Sequence, residues 1–140
     1  MELVNICKGI ILNNSDIVLV RREDSNRYNG YLELPGGKKR EYESLEECLI
    51  REINEETGIN NINKVNQFCS FCFKDTKLNR HYILNLFICE IQKDKIQIKN
   101  KNAQWFSIED LSNLKLTPYT EEILPFVFHV VRNRDLFLTK

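Results

Sequence analysis

Val4 to Leu12 is rich in β-branched and aliphatic residues, and after Asn13-Asn14-Ser15-Asp16 a second such run extends from Ile17 to Val20. Two runs split by residues that favour tight turns predict a β-hairpin. Arg21 to Gly30 is polar and loop-like. Tyr31-Leu32-Glu33-Leu34 has the character of a short strand, and Pro35-Gly36-Gly37 stops it while allowing backbone geometry closed to other residues. Ser44 and Glu47 stand three apart as a capping box and Gly58 follows Thr57, so the spacing predicts a helix over Leu45 to Thr57.

Beyond that helix the period returns to two. Val65 to Phe73 and His81 to Ile91 read as strands joined by the polar segment Lys74 to Arg80. Leu84, Leu86 and Ile88 share one face of the second while Ile83, Phe87 and Cys89 share the other, so both faces demand burial and the strand belongs inside a sheet. Gln92 to Asn102 reads as a solvated excursion, with Ile96 and Ile98 as a short edge strand in the other reading. Trp105-Phe106 precedes a helical turn at Ser107 to Leu111, and a second helix is expected over Glu121 to Val131 after Pro118. Strands with helices mid-chain and near the end predict an α/β sandwich with a mixed β-sheet between helices.

Composition narrows the function. The 140 residues suit one domain spanning 1–140, and 20 Lys and Arg against 20 Asp and Glu leave no global pull towards a nucleic acid polymer or an anionic membrane. No apolar run has the length of a membrane span. Five cysteines, an odd number in a chain able to build its own core, fit free thiols in a reducing, cytoplasmic setting.

Charge is uneven only locally. Between Glu41 and Gly58, seven carboxylates (Glu41, Glu43, Glu46, Glu47, Glu52, Glu55 and Glu56) face one cation, Arg51. A solvated helical face is the bland explanation, but at about 100° per residue Glu52 and Glu56 share the stripe of Leu45 and Leu49, and Glu55 lies beside Cys48. Charges leaning inward cost several kcal/mol each unless compensated, which makes a divalent cation a natural counter-charge. Glu52, Glu55 and Glu56, at i, i+3 and i+4, reach towards one point beside the helix. Oxygen donors without His or Cys select Mg²⁺ or Mn²⁺ and point to metal-assisted attack on phosphorus. Glycine in the preceding loop allows a backbone carbonyl to approach the same point.

Gly37, Glu43, Arg51-Glu52-Ile53, Glu55-Glu56 and Gly58-Ile59 match without a gap the box G-x5-E-x7-R-E-U-x-E-E-x-G-U, U being aliphatic, and the chain thereby resembles the Nudix hydrolase family. A chance match at a given start is on the order of 10⁻⁹, so accident is not a rival. Leu34-Pro35-Gly36-Gly37-Lys38, Arg21-Arg22 and Trp105-Phe106-Ser107 agree with the family as well. The resemblance implies a Nudix α/β/α sandwich and hydrolysis of a nucleoside diphosphate linked to another group. It implies that Glu52, Glu55, Glu56 and the Gly36 carbonyl hold Mg²⁺ or Mn²⁺. It makes Glu52 the first candidate for general base, oriented by Arg51, with Gly37, Glu43 and Gly58 supporting the box. Sequence does not distinguish a base from a ligand among these carboxylates, and family members differ over which one activates water.

Among subfamilies the chain looks most like the mutator-type enzymes that convert oxidised or ordinary nucleoside triphosphates, such as 8-oxo-dGTP, to monophosphate and pyrophosphate. Arg22 and Arg80, the latter followed by His81, match nucleotide-contacting arginines of that group. Leu34 stands in place of a Phe, Asn79 of an Asp, Thr120 of a base-reading Asn and Gln104 of a Glu that serves as an extra metal ligand. Those departures bear on oxidised-guanine specificity, not on the diphosphate chemistry, and Gln104 also implies weaker binding of one ion. An ADP-ribose or nucleotide-sugar pyrophosphatase is the enzymatic alternative, and a nucleotide-sensing module without catalysis is the other class.

Remaining motifs have structural readings. Cys69 and Cys72 have half a zinc-site spacing, but no second pair follows and residues three apart on a strand point oppositely. Phe68, Phe71 and Phe73 read as packing residues, with stacking on a base the functional alternative. His81 reads equally as a phosphate contact or a strand-end residue, and His129 as helix packing. Of Arg21 and Arg22 only one can enter a site, and Arg22 is favoured. The short basic tail from Arg132 to Lys140 suits a homodimer contact or a frayed end.

Overall fold

The computed structural model describes residues 1–24, 27–91 and 96–137. Its strands are β1 (Glu2–Asn13), β2 (Asp16–Arg21), β3 (Leu32–Glu33), β4 (Gly36–Lys38), β5 (Ile62–Asp75), β6 (Arg80–Ile91) and β7 (Ala103–Ser107). Its helices are α1 (Leu45–Thr57), α2 (Pro118–Arg132) and α3 (Arg134–Phe137), with a 3₁₀ segment at Ile108–Asn113. The expected hairpin is β1–β2, closed with Asn14 at φ 56°, a left-handed conformation that Asn tolerates.

The sheet is mixed. Its main path runs β3-β2-β1-β6-β5, with β4 added on β1 and β7 on β2. β1 and β6 pair in parallel from Glu2↔Arg80 to Ile11↔Cys89, and the remaining strand pairs are antiparallel. As the two-sided apolar pattern of β6 predicts, that strand lies between β1 and β5.

Alternation along the strands builds two cores. Ile10, Leu12, Leu84, Leu86 and Ile88 pack with Ile123, Val127 and Val130 of α2. Cys7, Ile11, Phe87 and Cys89 pack with Cys48, Leu49 and Ile53 of α1 on the other face. Each helix thus buries an apolar stripe against one side of the sheet, the layered arrangement expected from the sequence.

Four elements differ from the sequence reading. Gly36-Gly37-Lys38 pairs with Ile6-Cys7-Lys8, so the segment expected only to stop a strand is itself β4. Trp105-Phe106 lies in a strand, β7, opposite Val18 and Ile17. Ile96 and Ile98 lie in irregular chain rather than an edge strand: they pack against the α1 core, and Lys99 and Asn100 donate backbone N–H to the Thr57 carbonyl at 2.9 and 3.3 Å. α2 begins at Pro118, three residues earlier than Glu121, because proline at the first helical position gives up an N–H that has no intrahelical partner anyway. Of the stretch from Gln92 to Asn102, residues 92–95 lie outside the described residues, as do residues 138–140 of the basic tail.

Candidate active site

Helix α1 has the predicted limits. Ser44 Oγ accepts the Glu47 N–H at 3.0 Å, Glu47 Oε1 accepts the Ser44 N–H at 2.9 Å, and Gly58 closes the helix at φ 81°. Cys48, Leu49 and Ile53 bury one stripe of the helix, which sets Glu52 and Glu56 at the margin of the packed face. Both carboxylates meet β4. A Cβ on Gly37 would lie 2.6 Å from the Glu52 carboxylate, so the missing side chain makes the room that carboxylate occupies. One residue earlier, Gly36 donates its N–H to Glu56 Oε1 at 2.8 Å.

Gly36 itself has φ 144°, and a Cβ there would lie 1.8 Å from the Cys7 carbonyl oxygen. Only glycine lets β4 run this close to β1. The Cys48 thiol points at the Gly37 carbonyl at 3.6 Å, tying the helix to the same short strand.

Arg51 binds the acidic group together. Its guanidinium donates to Glu43 through Nε at 2.9 Å and Nη2 at 2.6 Å, to Glu52 Oε1 at 2.9 Å, to Glu55 Oε2 at 3.4 Å and to the Lys38 carbonyl at 3.2 Å. Those hydrogen bonds hold the Glu43 carboxyl down to about 2, with the Arg40 backbone N–H adding to the effect. Glu55 is the outlier of the triad: its side chain is 50 % exposed, against 17 % for Glu52.

Glu56 has the opposite environment. Burial pushes its carboxyl up to about 7, opposed by Lys8 and the Gly36 N–H, and like charge from Glu52 and Glu33 raises it further. Among the described residues no three His, Cys, Asp or Glu side chains converge on one metal position, since Arg51 and the Gly36 N–H hold the carboxylates individually. The donor set nonetheless fits a hard divalent ion: it is all oxygen, and the Glu56 carboxyl, raised by burial, is one whose ionised form a cation would stabilise.

A cleft of about 170 Å³ opens beside this group, lined by Arg22, Tyr28, Glu33, Thr117, Pro118 and Tyr119. Arg22 is held in it by Asp24, which Nε reaches at 2.9 Å, and by Glu33 at 3.4 Å, whereas Arg21 turns out to the Gly30 carbonyl. Thr120 stands behind the wall, buried, with its hydroxyl 2.8 Å from that of Thr117. The Leu34 side chain is buried in the α2-side core and does not line the cleft. Arg80 is not a lining residue either: it is held at the start of β6 by Glu2, with Nε 2.5 Å from the carboxylate. Gln104 is exposed on β7, opposite Leu19.

The aromatic residues of β5 pack as a row. Phe71 meets Phe126 with ring centroids 4.8 Å apart, Phe68 meets Phe137 at 4.9 Å, and Phe73 meets Tyr119 of the cleft wall at 4.6 Å. All five cysteines are free thiols. Burial pushes Cys48 and Cys89 up to about 12, which removes them as nucleophiles near neutrality. His81 has Nε2 buried without a hydrogen-bond partner among the described residues, and His129 packs beside Phe137.

Sequence reasoning passed over Lys8, Glu33, Tyr28 and Tyr119. Lys8 donates from Nζ to the Leu34 carbonyl at 3.1 Å and the Gly36 carbonyl at 3.3 Å, and lies 3.7 Å from Glu33. The available signal was a lysine set inside an apolar strand between Cys7 and Gly9.

Comparison with known proteins agrees with the fold and the sequence motif. The family model described as NUDIX domain matches residues 6–127. An ADP-ribose pyrophosphatase of Methanocaldococcus jannaschii is 32 % identical over 109 residues, 76 % of this chain and 63 % of its own length. An 8-oxo-dGTP diphosphatase of Escherichia coli K12 is 40 % identical over 60 residues, 42 % of this chain and 46 % of its own. The matches therefore span less than two thirds of either relative. A solved MutT chain, from work on the Aliivibrio salmonicida and Vibrio cholerae proteins, superposes with a TM-score of 0.73 at 26 % identity, covering 90 % of this chain and 97 % of that one. With the carboxylate helix seated on a two-glycine strand and the family model covering most of its length, the chain belongs to the NUDIX domain family.

Proposed function

We propose that the protein is a Mg²⁺- or Mn²⁺-dependent pyrophosphohydrolase that cleaves a nucleoside diphosphate linked to a further group, with a nucleoside triphosphate as its main substrate. The observation that carries this reading is the placement of Glu52 and Glu56 against the Gly36-Gly37 backbone, beside a cleft that holds an arginine and two tyrosines.

Glu52, Glu55, Glu56 and the Gly36 carbonyl would hold the metal, which when bound polarises the phosphoryl oxygens and acidifies water. Arg51 fixes Glu52 through Oε1, leaving Oε2 to accept the proton of the attacking water. Glu43 fixes Arg51 in turn. Tyr28 and Tyr119 offer ring faces for one base, and Arg22, already poised between Asp24 and Glu33, meets the nucleotide's polar groups. Thr120 acts through Thr117. Leu34 and Arg80 lie outside the cleft, Leu34 packed in the α2-side core and Arg80 paired with Glu2.

A second reading has support of its own: the Methanocaldococcus relative is named an ADP-ribose pyrophosphatase and matches over a longer stretch than the Escherichia one. A panel of nucleoside triphosphates, 8-oxo-dGTP, ADP-ribose and nucleotide sugars, each assayed with Mg²⁺ and Mn²⁺, separates the two. Monophosphate with inorganic pyrophosphate supports the triphosphate reading, and AMP with ribose 5-phosphate supports ADP-ribose. Release of no monophosphate from any of them overturns the proposal.

A further inference from the structure

Lys8 is an unusual residue for its place. It lies inside β1, in register with Gly36, and its side chain is only 14 % exposed. A lysine sequestered in this way needs oxygen partners for its ammonium, and among the described residues it has three: the Leu34 and Gly36 carbonyls and the Glu33 carboxylate. Glu33 does not depend on Lys8 for a counter-charge, since Arg22 Nη1 already lies 3.4 Å from it. Besides a charge near Glu56, Lys8 supplies a positive charge on the carbonyl of Gly36, the residue whose N–H is bonded to Glu56.

Oxygen ligands around a compact cation are also what a divalent ion requires, and two cations on one carbonyl repel strongly at that separation. We propose that Lys8 is a tethered counter-cation of the Gly36 carbonyl, which a divalent ion must displace, so that Lys8 sets how tightly the chain takes the ion. This rests on the metal reading given above, and it makes Lys8 a positioning residue rather than a catalytic one. The ammonium neutralises the site in the absence of metal and raises the concentration of ion needed to fill it.

The test is direct Mn²⁺ binding to the full chain, by calorimetry and by the electron paramagnetic resonance of free Mn²⁺, without substrate or turnover. Lys8→Met should bind Mn²⁺ about tenfold more tightly than the wild type, while Lys8→Arg, which keeps the charge, should not gain affinity. Lys39→Met serves as control, because Lys39 bonds the Arg40 carbonyl on the exposed surface and its loss should leave affinity as it was. Equal Mn²⁺ affinity in wild type and Lys8→Met, or an equal gain in Lys39→Met, overturns the proposal. No Mn²⁺ binding by any of these chains overturns the metal reading itself. If Lys8→Met does not fold, the wild type decides: the ¹³Cε resonance of Lys8 should move as Mg²⁺ saturates the protein, and a resonance that stays fixed at saturation overturns the role.

Discussion

Arg51 grips Glu43 through two nitrogen atoms at 2.9 and 2.6 Å, across eight residues of sequence, and so ties the loop before α1 to the second turn of the helix. The Glu43 carboxyl, whose ordinary value is 4.5, is held at about 2 by those bonds. A depressed folded value means that the ionised carboxylate stabilises the fold fully above about pH 4.5 and ceases to do so as pH falls towards 2. Glu43→Gln should therefore lower the urea midpoint at pH 7, and its deficit relative to the wild type should shrink from pH 4.5 downwards. A deficit of constant size between pH 7 and pH 3 would show that this carboxylate is not the source.

The two glycines of β4 are expected to fail in different ways. At Gly36 an added Cβ meets the Cys7 backbone carbonyl at 1.8 Å, and φ is 144°. Neither can relax cheaply, so Gly36→Ala should cost about 2 kcal/mol or more of stability. At Gly37 the obstruction is the end of a flexible side chain, the Glu52 carboxylate, which can swing away. Gly37→Ala should stay within about 1 kcal/mol of the wild type yet lose most of its turnover. Equilibrium unfolding paired with a pyrophosphate-release assay checks both, and equal stability losses in the two variants would contradict the geometry.

Ser44 starts the helix that carries the site, and its reciprocal bonds with Glu47 satisfy two backbone N–H groups that the first turn leaves free. Ser44→Ala should cost about 1 kcal/mol, and Ser44→Gly only a few tenths. Thermal and urea unfolding of the two variants, compared at one pH, measure this ranking, and a Gly variant less stable than the Ala variant would reverse it.

Much of this arrangement was legible in the sequence because it is local. The ends of α1 follow from Ser44, Glu47 and Gly58, and the inward lean of Glu52 and Glu56 from their spacing to Leu49. What was not legible depends on pairing between distant segments. β4 is three residues long, with two glycines that carry no strand signal, and exists because β1 offers it an edge. β7 follows a polar stretch and becomes a strand by pairing with β2. In β5 the register slips between Gln67 and Cys69, so that Phe68 joins Phe71 and Phe73 in packing against the α2-side core although strict alternation would separate them. Lys8 was hidden for a related reason: a lone lysine in an apolar strand declares a burial problem, but only the fold shows which carbonyls solve it.

Glu56→Gln separates the chemistry of the site from its contribution to folding. The introduced amide keeps the shape of the side chain and an oxygen that accepts the Gly36 N–H, the contact seen at 2.8 Å, and removes a charge whose burial is unfavourable. Without metal the variant should therefore unfold at the same temperature as the wild type or slightly above it. Turnover with Mg²⁺ or Mn²⁺ should fall at least about 100-fold, because an amide is a poor ligand for a hard cation and brings no negative charge to offset it. Metal should also raise the melting temperature of the wild type more than that of the variant, since an ion that binds the folded state stabilises it in proportion to its affinity. Measuring melting temperature and turnover on the same preparations tests both halves. A variant that melts well below the wild type would assign Glu56 to the fold, and one with full turnover at saturating metal would remove it from the reaction.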